Sequence, residues 1–143
     1  MLIAGFALGV YLLPIITAPQ SPDDAEVMAS ASQASYRAQF VKDIAGSDFL
    51  HWAEGELSLS KDSISFNGSM SPGPDYQLYL TKQLVETEAA FLAIKDESLK
   101  IGPVKTFDKF ILSVPGDIPI SEYSGVIIWC ESFAQFISAA KYQ

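Results

Sequence analysis

The sequence has few of the side chains on which much protein chemistry depends. Its single cysteine, Cys130, rules out an internal disulfide framework, a cysteine-rich zinc site and a Cys-x-x-Cys redox pair. Its single histidine, His51, excludes a two-histidine copper centre and the His-Glu-x-x-His zinc enzymes. Basic residues are scarce: nine Lys and Arg stand against 17 Asp and Glu, for a net charge of −8. No nucleic-acid partner is expected, because phosphate neutralisation needs a basic footprint. The serine-hydrolase elbow, the P-loop, the dinucleotide-binding Gly-x-Gly-x-x-Gly and the Cys-x-x-Cys-His haem attachment are all missing. What is present is 143 residues, 49% of them hydrophobic, which suits one folded domain plus at most an appendage.

Charge is also missing from the N-terminus. Residues 1–22 carry no charged side chain, and Leu2 to Ala18 is almost wholly apolar. About 20 apolar residues cross a ~30 Å hydrocarbon core, so this run just reaches. A peptidase would want small residues where Ile16 stands, and Pro19 follows the would-be cut after Ala18. Residues 1–20 are therefore read as an uncleaved transmembrane or signal-anchor segment, kinked at Pro14. A cleaved signal and a buried core helix are the competing readings. Ser21-Pro22-Asp23-Asp24 then reads as a helix start, with Ser21 as cap and Pro22 at the first position. The Ala-, Gln- and Ser-rich stretch that follows has too thin an apolar stripe for a core helix. Residues 21–47 are thus read as a helical stalk, closed by Ala45-Gly46-Ser47-Asp48.

From residue 48 the period changes from helical to alternating. Leu57 and Leu59 alternate with Glu56, Ser58 and Ser60, and Ile64 and Phe66 resume after a turn at Lys61-Asp62-Ser63, which predicts a hairpin. Further strands are predicted at 76–80, 110–114, 126–130 and 136–142. The 126–130 strand is apolar on both faces and so central. Val85, Ala89 and Leu92 recur at helical spacing and predict a short helix within 84–95. Residues 48–143 are accordingly expected to form a mainly β domain, an antiparallel sandwich with jelly-roll-like character, behind the membrane helix and stalk.

Three residues could carry chemistry. Cys130 ends the central strand and shares a face with Val126 and Ile128, while Trp129 points the other way with Ile127. It is either a small core residue or a redox thiol or cofactor ligand. The neighbouring Glu131 would raise its pKa, which counts against a nucleophile. His51 opens the first strand of the domain and is the one side chain able to act as an imidazole ligand or near-neutral proton carrier; its plainer role is hydrogen-bonded packing. Asp75 closes the rigid Ser71-Pro72-Gly73-Pro74 loop, in which Pro72-Gly73 suits a type II turn, and either braces that loop or faces a pocket.

In order along the chain, His51-x-x-x-Gly55, Gly73-Pro74-Asp75 before an aromatic strand, and Trp129-Cys130-x-x-Phe133 resemble the electron-transfer DM-thirteen domain family. The apolar start and stalk are similar to its membrane-anchored bacterial members. The resemblance implies an all-β domain on the periplasmic side of the inner membrane, whose Cys130 works as a bare thiol or, with His51 and Asp75, holds a redox group. The cofactor would be haem or none. Glu131-Ser132 departs from the family, many of whose members have basic residues there. Two functions follow as expectations. One is a membrane-anchored electron-transfer module with a redox partner protein; the other is a non-catalytic binding or structural module in which Cys130 is packing.

Overall fold

Residues 2–143 are described by a computed structural model. Its centre is a pair of four-stranded antiparallel sheets. The strands are β1 (Tyr36–Phe40), β2 (Ala53–Leu59), β3 (Ser63–Met70), β4 (Tyr76–Thr81), β5 (Leu99–Val104), β6 (Lys109–Ser113), β7 (Gly125–Cys130) and β8 (Gln135–Lys141). One sheet runs β1-β2-β3-β6 and the other β5-β4-β7-β8. The predicted hairpin is β2 and β3, with Leu57 opposite Phe66 and Leu59 opposite Ile64. The expected jelly-roll wiring is not there. Three successive strands, β1 to β3, lie side by side in one sheet as a meander instead of passing back and forth between sheets.

The residues facing inward from both sheets form the main core, among them Phe40, Leu57, Phe66, Leu78, Val126, Ile128 and Ile137. Strand β7 is buried on both faces because its alternate residues serve two cores. Val126, Ile128 and Cys130 face the interior, whereas Ile127 and Trp129 join Tyr79, Phe91 and Phe136 on the outer side. Helix α3 (Glu88–Ile94) covers that outer side, capped by Thr87 and placing the Phe91 ring 4.8 Å from Trp129 and 5.2 Å from Tyr79. The helix predicted within 84–95 is this one.

The N-terminal third differs most from expectation. An apolar helix, α1 (Leu2–Thr17), is present with Pro14 inside it. Its 16 residues extend roughly 24 Å at ~1.5 Å per residue. Among the described residues, no helix is long and apolar enough to cross a membrane. The helical stalk expected over 21–47 exists only as α2 (Asp24–Ser32), and α2 lies on the domain. Val27 is buried, Lys109 Nζ is 3.1 Å from Asp24, and the Ser30 and Ser63 hydroxyls are 2.9 Å apart. Its cap is Asp23, not Ser21. The Asp23 carboxylate accepts from the Glu26 N–H while the Glu26 carboxylate accepts from the Asp23 N–H, a reciprocal box that satisfies two free donors at once. Ser21 instead donates to Asp108. The end of the supposed stalk is strand β1, whose Ala38 and Phe40 enter the core.

Strand β5 has no counterpart in the prediction. It contains Gly102 and Pro103 and pairs only with β4, the sheet-edge position where a missing N–H is tolerated. Gly55, at φ +143°, faces Gly68 across β2 and β3, and a Cβ there would meet the Asn67 carbonyl at 2.4 Å. The last residue of the His51-x-x-x-Gly55 pattern is thus a backbone requirement at the point where these strands come closest.

Candidate functional site

Four connections close one end of the sandwich: β1–β2, β3–β4, β5–β6 and β7–β8. Cys130, the last residue of β7, sits there between Tyr76 of β4 and Gln135 of β8. It is 3% exposed, and its thiol donates to the Pro74 carbonyl at 2.9 Å. Burial raises its pKa above the ordinary thiol value, and the nearby carboxylates of Asp75 and Glu131 push the same way. The backbone N–H groups of Phe133 and Ser132 oppose this without reversing it. The resting group is a protonated thiol.

Asp75 lies against the same turn. Its backbone is left-handed, at φ 57°, a conformation that Asp and Asn adopt more readily than other side chains. Its carbonyl accepts from the Glu131 N–H at 3.1 Å, and its carboxylate accepts from the Ser132 hydroxyl at 2.7 Å and from the Gln77 amide at 3.3 Å. With the Cys130–Pro74 bond, these contacts clip the β3–β4 loop to the β7–β8 turn. The Pro72-Gly73 type II turn is not formed, because Gly73 does not take a positive φ. Gly73 serves another purpose: a Cβ would strike the Tyr76 ring at 2.6–2.8 Å. That ring is fixed by the Tyr76 hydroxyl donating to the Ser71 carbonyl at 2.7 Å.

His51 is placed elsewhere on this end. Its Nδ1 is 3.0 and 3.1 Å from the two Asp48 carboxylate oxygens, and Asp48 also accepts from the Leu50 and His51 N–H groups. Slight burial pushes the Asp48 carboxyl up, but His51 and those N–H donors more than offset it and hold it below the usual carboxylate value. His51 closes a turn with Asp48; its hydrogen bonds reach neither Cys130 nor Asp75. The structure therefore brings Cys130 and Asp75 together and leaves His51 with Asp48.

An open groove of about 700 Å³ runs between α1 and this end of the sandwich. Phe6, Val10 and Leu13 line one wall, and Pro74, Phe107 and Phe133 the other. Asp75 and Lys105 supply its charged groups; neither Cys130 nor His51 lines it. Among the described residues no group of three His, Cys, Asp or Glu side chains could hold a metal ion. A haem ligated by Cys130 does not fit these residues, since the buried sulfur donates to the Pro74 carbonyl and does not line the groove.

Sequence reasoning missed the setting of Glu131. Its carboxylate accepts from the Tyr79 hydroxyl and lies 3.1 Å from Lys95 Nζ. Partial burial would raise its pKa, but Tyr79 and Lys95 together lower it. Burial, with Glu131 adding to it, raises that of Tyr79 well above the ordinary phenol. The only sequence signal was a carboxylate following a buried strand. Because the folded carboxyl is the stronger acid, its contribution to stability is full above the unfolded value near 4.3 and is lost as pH falls through the lower folded value. Glu131→Gln should cost about 1–2 kcal/mol at neutral pH, with the gap to the parent narrowing in acid. Urea denaturation at neutral and acid pH checks this.

The sequence profile of the family described as electron transfer DM13 matches residues 39–142. This chain belongs to the electron transfer DM13 family. The matched segment begins inside β1 and contains both sheets, so the DM13 domain takes in the strand first read as stalk. Cys130, Asp75 and His51 all lie within it. No curated protein and no solved structure matches the chain. The family's description as an electron-transfer domain suggests a redox-related role, and the one cysteine of the chain is buried.

Proposed function

We propose that this DM13 chain is an extracytoplasmic, membrane-tethered redox module that uses Cys130 as a bare thiol. The observation that carries the reading is the position of the sulfur. It lies at the end of the central strand, one hydrogen bond beneath a loop that is itself a wall of an open groove. The thiol has polar company in Pro74, Asp75 and Ser132, and parting the β3–β4 loop from the β7–β8 turn would expose it. Asp75 acts as a gate on the sulfur. His51 braces the neighbouring turn.

The chemistry proposed is exchange with a partner protein's disulfide. Cys130 gives its proton to solvent, its sulfur bonds to one partner sulfur, and the other partner sulfur leaves as a thiolate. One thiolate of a second protein's dithiol then attacks the Cys130 sulfur of this mixed disulfide, and the remaining partner sulfur leaves as thiolate. The other thiolate of that dithiol attacks its own protein's sulfur in the new mixed disulfide, closing a disulfide there, and Cys130 departs as thiolate and regains a proton. Two electrons thereby pass from the dithiol to the partner disulfide. The uncharged, apolar α1 supports tethering. At roughly 24 Å it falls short of a ~30 Å hydrocarbon core, a mismatch that bilayers accommodate by local thinning.

Burial of Cys130 favours a second reading, a binding or structural module in which the sulfur only packs. Acid-trapping of thiols in membranes from cells held under oxidising and reducing conditions separates the two. The redox reading expects part of Cys130 in a mixed disulfide that reductant releases and Cys130→Ala abolishes. A thiol that stays free under both conditions would leave packing as its role.

A further inference from the structure

We propose that the Cys130 end of the sandwich is a lipid-contact surface, lying in the interface of the bilayer that α1 enters, so that a redox partner of Cys130 must meet it at that interface. This rests on the membrane tether proposed above and adds to it an orientation and a second point of contact.

The exposed apolar side chains of the β domain are unevenly distributed. Phe49 is 86% exposed and Phe133 47%; Leu50 is exposed next to Phe49, and Val41 is exposed at the start of the same β1–β2 connection. All four belong to connections that close the Cys130 end. The connections at the opposite end, over 60–62, 82–98 and 114–124, present two large exposed apolar residues, Leu84 and, on α3, Leu92. Helix α1 leans on the same end as Phe49 and Phe133. Leu2, Ile3, Phe6 and Leu8 are exposed on it, and Phe6, Val10 and Leu13 form one wall of the groove that Pro74, Phe107 and Phe133 complete. The apolar surface is thus continuous from α1 to the loops that carry Pro74, Phe107 and Phe133, with Phe49 and Leu50 exposed at the same end, and water would cover all of it unless lipid did.

A helix too short to cross by itself gains from neighbours that carry the apolar zone further, and the Phe49, Leu50 and Phe133 side chains do so. Lys42 lies 4.1 Å over the Trp52 ring, and Lys105 edges the groove, the pairing of aromatic and basic groups that suits the headgroup level. Asp43, Asp48, Asp75 and Asp108 also lie in these connections, so no net basic charge draws anionic lipid. Contact is through apolar insertion, and a zwitterionic bilayer suffices.

The test uses the full chain reconstituted with phosphatidylcholine vesicles, in three variants: Phe49→Trp, Phe133→Trp and Leu84→Trp. The emission added at 49 and 133 is expected to shift to the blue and to be quenched by nitroxide lipids at the ~5–10 Å depth of interfacial side chains, with no quenching of that at 84. If the protein floats with vesicles but 49 and 133 answer only to a water-soluble quencher, or 84 is quenched equally, the orientation is wrong and the tether stands. If the protein does not float with vesicles, tether and surface fall together.

Discussion

Replacing Phe40 by alanine should lower the stability of the folded chain by about 3–5 kcal/mol, the cost of truncating a buried aromatic ring. Phe40 is fully buried in β1, its ring 5.7 Å from that of Phe66, which in turn stacks on Phe110 at 5.2 Å. Its backbone faces Gly55 in the β1–β2 ladder, a position with no side chain of its own. The next residue, Val41, is exposed, and Val41→Ala should change stability by less than about 0.5 kcal/mol. Urea denaturation of the two variants decides whether residues 36–40 are core or stalk. Equal, small losses would mean that β1 is a dispensable edge; a large loss at 40 alone ties the domain to a strand well before residue 48. A chain begun at 48 should then fail to fold, because it would strip β2 of its partner and leave the core without Ala38 and Phe40.

That strand was legible in part. Tyr36, Ala38 and Phe40 alternate with Arg37 and Gln39 as a half-buried strand should, but the pattern lasts five residues and follows a well-capped helix in similar polar composition. The Leu57, Leu59, Ile64 and Phe66 alternation was readable because a polar turn marks its centre. The two-faced burial of β7 was readable because Ile127 and Trp129 are as apolar as Val126 and Ile128. The site was harder. Asp75 beside Cys130 depends on β4 pairing with β7 across more than fifty residues, and nothing local encodes that pairing. The same holds for Lys95 reaching Glu131. His51 was read with Cys130 because the two stand in matching motifs of the DM-thirteen resemblance, yet its ring needs only the carboxylate three residues before it. Gly73 looked like a turn glycine, whereas the ring of Tyr76 is what requires it.

The native thiol of Cys130 should react with a disulfide reagent on the order of 100-fold more slowly than the same thiol in the denatured chain. Three hydrogen bonds hold the clip: Cys130 to Pro74, Glu131 to Asp75, and Ser132 to Asp75. At about 1 kcal/mol each they set an opening free energy of roughly 3 kcal/mol, or about a hundredfold. Ser132→Ala removes one bond and should speed the reaction about fivefold. Asp75→Asn keeps a residue tolerant of the left-handed backbone while removing a charge that raises the thiol pKa. It should both speed the reaction and move its pH profile downward. Rates that are unchanged in both variants would show that the clip does not control the sulfur.

The most direct test of a reachable redox thiol is the rate of mixed-disulfide formation at Cys130, followed by mass, as urea is raised through concentrations too low to unfold the chain. If the sulfur is uncovered by parting the 71–75 and 131–134 segments, the rate stays nearly flat with urea, because a small opening exposes little surface. If the rate instead climbs with the full denaturant dependence of global unfolding, Cys130 is released only when the whole domain opens. It would then be core packing, and the DM13 domain would have to handle electrons, if at all, without it.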